Sequence, residues 1–153
     1  MMSTKECLAT IAGQEKQYDA LYRNAGAVFG FSDCAMWVLY YLKITEEEIS
    51  QQDLIEKMMF PKQTINSAVS VLAGKDLVEL SMIPGTRNKK KITLTTEGAE
   101  IARNTVGKMY QAECRAVEQM GAERMKQFME LYRDFYDHLY TEFVKEGIIY
   151  GEE

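Results

Sequence analysis

The sequence predicts a mainly α-helical chain that carries one small β-hairpin. Three observations predict it. Apolar residues recur at helical spacing over most of the 153 residues. One stretch alternates instead: Val78, Leu80 and Met82 fall on one face, and Glu79, Ser81 and Ile83 on the other. Pro84-Gly85 then marks a turn, and Lys91 to Thr95 reads as the returning strand, with Ile92 and Leu94 facing inward.

Two short helices are predicted ahead of the hairpin. Ser50 opens the first, because its hydroxyl can accept from free backbone N–H groups. Leu54, Ile55 and Met58 give that helix an apolar edge. Met59-Phe60-Pro61 breaks it, and proline suits the first turn of the next helix. That second helix runs from about Pro61 to Ala73, with Ile65, Ala68, Val69 and Leu72 on one face. Its opposite face, Gln63, Asn66, Ser67 and Ser70, is small, polar and uncharged, whereas a solvated helix more often carries Glu and Lys there. The order helix, turn, helix, hairpin is that of a winged helix-turn-helix, whose second helix enters the DNA major groove.

The flanks read as helices too. Lys5 to about Val28 shows helical spacing, ended by Gly30-Phe31-Ser32. Asp33 to Leu42 comes next, with Trp37, Tyr40 and Tyr41 on several faces, as suits a helix buried on more than one side. Ile44 to Ile49, with Glu46-Glu47-Glu48, reads as an acidic connector. Glu97 to about Gln119 is predicted as one long helix and Ala122 to Lys145 as another, with a break at Gly121 and a short tail from Gly147. Phe128, Leu131, Tyr132, Phe135, Leu139 and Phe143 form a stripe on the last helix that a small winged-helix core cannot cover; a partner subunit can.

The net charge of −5 argues at first against nucleic acid, but its distribution reverses the argument. Residues 61–95 hold six cationic side chains against two anionic ones, a local +4, which leaves −9 elsewhere. Three widely spaced cysteines and a single histidine supply neither a disulfide frame nor a zinc site. No histidine, nucleophile or metal set accompanies the acidic run, so no enzyme and no cofactor is expected. No apolar run is long enough to span a bilayer, and the N-terminus lacks the form of a signal peptide, so the expected location is the cytoplasm.

The ordered set Leu54-Ile55-Glu56-Lys57-Met58, Lys62-Gln63-Thr64-Ile65, Leu72, Leu77-Val78 and Leu94-Thr95-Thr96-Glu97-Gly98 resembles the MarR family of bacterial transcription regulators. The resemblance covers nearly the whole chain. It implies a single MarR-like domain over 1–153, with a DNA-binding core at 33–95 and dimerisation helices at 1–30 and 96–146. It also implies a homodimeric repressor of double-stranded DNA, released by a small molecule. Two residues depart from the family pattern. The wing usually carries Asp-x-Arg where Thr86-Arg87-Asn88 stands here, and a glycine usually precedes the Leu-Val pair where Asp76 stands.

The DNA-contact candidates are Lys62, Gln63, Thr64, Asn66, Ser67 and Ser70 on the second helix, with Arg87, Asn88, Lys89, Lys90 and Lys91 in the wing. Family members often bind small aromatic ligands between the dimer helices and the DNA-binding lobe, and Tyr18, Tyr22, Trp37, Tyr40 and Tyr41 are the residues here that would line such a crevice. Some relatives sense oxidants through a cysteine, for which Cys7 and Cys34 are the candidates; a helix N-terminus at Cys34 would lower its thiol pKa. A second reading keeps the winged helix as a protein-interaction module without DNA binding, favoured by the altered wing and the acidic total.

Overall fold

The computed structural model describes residues 2–45 and 47–151. Glu46 of the acidic connector and Glu152 and Glu153 of the tail lie outside the described residues. The elements run α1 (Thr4–Phe29), α2 (Asp33–Ile44), β1 (Ile49–Ser50), α3 (Gln51–Met58), α4 (Lys62–Gly74), β2 (Val78–Met82), β3 (Lys90–Leu94), α5 (Thr96–Asn104), α6 (Val106–Met120) and α7 (Ala122–Lys145). Mainly helical with a small antiparallel sheet, the chain has the predicted fold class. It divides into two compact units, Met1–Tyr110 and Gln111–Glu153.

The first unit is built around α2. Cys34, Ala35, Met36, Val38 and Leu39 are all buried, and α1, α3, α4, α5 and β3 pack against the helix that carries them. From α4, Ile65, Ala68, Val69 and Leu72 close the same core. Each large side chain of this set contributes about 1.5–3 kcal/mol by leaving water. In the second unit, α7 buries none of its residues and presents Phe128, Leu131, Tyr132 and Tyr136 to solvent.

Three expectations are corrected. The hairpin is not alone: β1 joins it, and the sheet order is β1-β3-β2, with Ile49 opposite Ile92 and Ser50 opposite Lys91. The connector therefore ends in a strand. The alternation of β2 turns into burial only at its base: on the Val78, Leu80 and Met82 face, Val78 is buried, while Leu80 is 38% exposed and Met82 52%, because the wing runs out beyond the helices. The long helix after the wing is two helices. Thr105 leaves helical geometry at φ −116°, ψ −92°, while its hydroxyl donates to the Ile101 carbonyl at 2.7 Å. Such back-bonding bends helices, and the bend turns Val106 and Gly107 into the core.

The junction of the wing with the helices is tightly specified. Thr95 N–H donates to the Leu77 carbonyl (3.1 Å), and the Thr95 hydroxyl donates to the Asp76 carbonyl (2.6 Å) while accepting from Gly98 N–H (2.9 Å). A Cβ on Gly98 would sit 1.8 Å from the Leu77 carbonyl oxygen. Only glycine lets α5 start against that carbonyl. Asp76 holds the left-handed conformation (φ 57°) expected where the family has glycine.

Candidate nucleic-acid interface

The start of α3 is set by Ser50, which ends β1 and caps the helix. Its hydroxyl accepts from Asp53 N–H (3.1 Å), and its own N–H donates to the Asp53 carboxylate (2.8 Å). These two donors, the Ser50 N–H and hydroxyl, hold the Asp53 carboxyl below its ordinary range, and Lys89 and Lys57 add to the effect. Helix α4 begins after Pro61, whose carbonyl accepts from Thr64 N–H at 2.9 Å. That places proline at the N-cap rather than in the first turn, a one-residue difference.

The wing tip is a hydrogen-bonded turn. Thr86 N–H donates to the Ile83 carbonyl (3.2 Å), with Pro84 and Gly85 between them, and Gly85 takes φ +78°. Proline followed by a left-handed glycine is the signature of a type II turn. The Thr86 hydroxyl also donates to the Ile83 carbonyl (2.8 Å), so the residue that replaces the family's aspartate secures the turn. Ile83 N–H to the Lys89 carbonyl (3.0 Å) closes the loop and leaves Arg87 and Asn88 projecting.

Between α3, α4 and the wing lies an open cleft of about 560 Å³, lined by Gln51, Gln52, Ile55, Lys62, Asn66, Thr86, Arg87, Asn88, Lys89 and Lys90. Four of these are cations and none is a carboxylate. Such a groove concentrates positive potential and suits a polyanion. It gathers Lys62, Asn66, Arg87, Asn88, Lys89 and Lys90 from the predicted set. Gln63, Thr64, Ser67 and Ser70 stand exposed on α4 outside that lining.

Lys91 is placed differently. It lies on β3, opposite Ser50 and Ser81, and pairs with Glu48. It belongs to a second hollow of about 250 Å³ that Glu47 and Glu48 also line. Sequence reasoning missed Gln51, Gln52, Ile55 and Thr86 as cleft residues. The glutamines were legible only as helix-starting residues, and what brings them to the cleft is the way α3 and α4 pack.

The aromatic candidates form a continuous ladder. Ring centroids lie 5.4 Å apart for Tyr18 and Tyr22, 4.9 Å for Tyr22 and Trp37, and 5.2 Å for Trp37 and Tyr40. Tyr40 then meets both Tyr41 and Tyr110 at 6.2 Å, Tyr110 being a member the sequence did not suggest. Cys34 departs from expectation: it is buried, and burial together with the Asp33 charge pushes its thiol up rather than down. This is the opposite direction to the lowering that a helix start favours. Cys7 is half-buried near the start of α1.

Among solved structures, a MarR-family regulator from Neisseria meningitidis aligns with a TM-score of 0.75 at 19% identity, over 91% of this chain and 97% of its own. The chain has the MarR-family fold. AbsC, a MarR-family transcriptional regulator from Streptomyces coelicolor, aligns at 0.70 and 17%, over 92% and 98% of the two chains. MepR of S. aureus in complex with DNA aligns at 0.65 and 18%, over 91% and 99%. Neither a protein-family model nor a curated protein matches the sequence. In this MarR fold, no single described helix is long and apolar enough to cross a membrane.

Proposed function

We propose that this chain is a sequence-specific DNA-binding transcription regulator, acting as a homodimeric repressor released by a small aromatic ligand. The observation that carries the reading is the cleft between α4 and the wing, with four cations and no carboxylate in its lining. The MarR fold supports it, since MepR, which shares that fold, has been solved in complex with DNA. In this reading the exposed polar face of α4 (Gln63, Thr64, Ser67 and Ser70) meets base edges and nearby phosphates. Lys62, Arg87, Lys89 and Lys90 meet phosphates or the minor groove. The apolar stripe of α7 supports a second copy as its cover, because a chain rarely leaves such a surface to water. Two α4 helices would then reach half-sites about 34–36 Å apart. The ring ladder from Tyr18 to Tyr40 supports an aromatic ligand as the effector.

Fluorescence anisotropy tests the reading, with the protein's own upstream DNA and a scrambled duplex across a salt series. Preference for the native fragment is expected. Lys89→Ala with Lys90→Ala should weaken both duplexes alike and flatten the salt slope by about 1 per lysine and half-site. Lys91→Ala should change the slope little, since Glu48 already engages that ammonium. Failure to bind any duplex, extended to a random-sequence selection, would favour the protein-interaction reading. Calorimetry with a panel of phenolic acids tests the effector; no heat and no change in DNA affinity would sink that part.

A further inference from the structure

Gln51 is the first residue of α3, and Asn66 lies in the second turn of α4. Their side-chain amides meet: Gln51 Nε2 donates to Asn66 Oδ1 at 2.6 Å. Both side chains are half-buried and line the cationic cleft, whereas Gln63, Ser67 and Ser70 on the same helix as Asn66 are exposed. An unrestrained asparagine offers a base one acceptor and one donor, which fits the N6 and N7 edge of adenine. Here the acceptor is drawn toward α3. One of the two Oδ1 lone pairs is thereby taken, so what Asn66 chiefly offers the cleft is its Nδ2 group, with two hydrogens to donate.

We infer that Gln51 is a specificity-determining residue, which by occupying one lone pair of Oδ1 and holding that oxygen toward α3 biases Asn66 toward donation and turns its preference from adenine to guanine. Guanine presents two acceptors, O6 and N7, on its major-groove edge, so a donor-only group matches it. Gln51 acts through Asn66 and need not touch the base. The inference rests on the DNA-binding reading and deepens it.

The test is selection of preferred sites from random duplex DNA with the full chain, as wild type, Gln51→Ala, Asn66→Ala and the double variant. Anisotropy on the selected and scrambled duplexes accompanies it. Wild type should select guanine at one position of each half-site. Gln51→Ala frees the asparagine, so that position should shift toward adenine. Affinity for the wild-type site should fall about tenfold, within the range of a single base contact, and scrambled affinity should hold. The double variant should match Asn66→Ala, because Gln51 has nothing to direct once Asn66 is gone. A Gln51→Ala protein that keeps guanine overturns the inference. So does one that loses selected and scrambled DNA equally, since the pair then only ties α3 to α4. Wild type without any sequence preference overturns both this inference and the reading beneath it.

Discussion

Helices α4 and α7 carry the same kind of sequence pattern and end in different surroundings. Each has apolar residues on one stripe. In α4 the stripe is Ile65, Ala68, Val69 and Leu72, and all four are buried. In α7 it includes Phe128, Leu131, Phe135 and Leu139, and none is buried. Periodicity therefore names the face that avoids water, and a separate fact, the presence of something to lie against, decides whether it succeeds. For α4 that something is α2 of the same chain.

The contrast breaks most readily at Leu72 and Leu131. Leu72 is fully buried, so Leu72→Ala should cost about 3 kcal/mol in urea unfolding at every protein concentration, as expected for a cavity in a packed core. Leu131 is 69% exposed, so its contribution should emerge through association. If the chain dimerises as proposed, Leu131→Ser should raise the dissociation constant at least about tenfold, some 1.4 kcal/mol, in sedimentation equilibrium. A Leu131→Ser protein that associates like wild type would take this stripe out of the dimer contact. Gly98 sharpens the same lesson within the first unit. Gly98→Ala drives a Cβ into the Leu77 carbonyl and should cost about 3 kcal/mol, the upper part of the overpacking range. Gly13, mid-helix in α1 with open space where a Cβ would point, should instead gain about 0.5–1 kcal/mol as alanine. Equal effects at the two glycines would discredit the close approach.

Where neighbours in sequence settle the matter, the fold was legible. The core face of α4, the Ser50 cap, the Pro84-Gly85 turn and the left-handed Asp76 each follow from residues a few positions apart. Where a distant segment settles it, the signal was absent. Gly98 was visible as part of a motif, but the carbonyl that demands it belongs to Leu77, across the whole wing. Lys89, Lys90 and Lys91 look alike in sequence, yet strand register sends Lys91 to Glu48 and leaves the other two at the cleft. Leu80 and Met82 alternate correctly with Glu79 and Ser81, but nothing local tells that the covering layer stops at Val78. The Gln51 contact depends on two helices meeting through side chains fifteen residues apart.

A smaller effect is expected at the α3 cap, where local sequence and long-range charge converge. Ser50→Ala should cost about 1 kcal/mol near neutral pH, the usual loss for a serine cap. The pH dependence comes from Asp53, whose folded pKa is lowered first by the Ser50 backbone and hydroxyl donors and then by Lys89 and Lys57. A depressed carboxyl stabilises the fold fully above its unfolded value of about 3.9 and loses that contribution as pH falls through the folded value. The advantage of wild type over Asp53→Asn should accordingly hold at neutral pH, shrink as the pH drops below the unfolded value and vanish once it has fallen through the lowered folded one. A difference that stays constant over that range would mean that the charge on Asp53 contributes nothing.

The smallest expected effect separates two residues that share a backbone conformation. Met59 and Asp76 both have positive φ, 56° and 57°. A side chain there is strained by about 1–2 kcal/mol unless its chemistry suits the left-handed region. Met59 is apolar and 89% exposed, so it has neither that chemistry nor burial to offset the strain. Aspartate tolerates the conformation, and the Asp76 carbonyl is fixed by the Thr95 hydroxyl. Met59→Gly should therefore raise the urea midpoint by an amount equivalent to about 0.5–1 kcal/mol, the relief of strain less the added freedom of the unfolded chain. Asp76→Gly should gain less. If Asp76→Gly gains more than Met59→Gly, then conformational strain is not what distinguishes the two turns, and the thioether of Met59 must stabilise the α3–α4 turn by a contact that its exposure conceals.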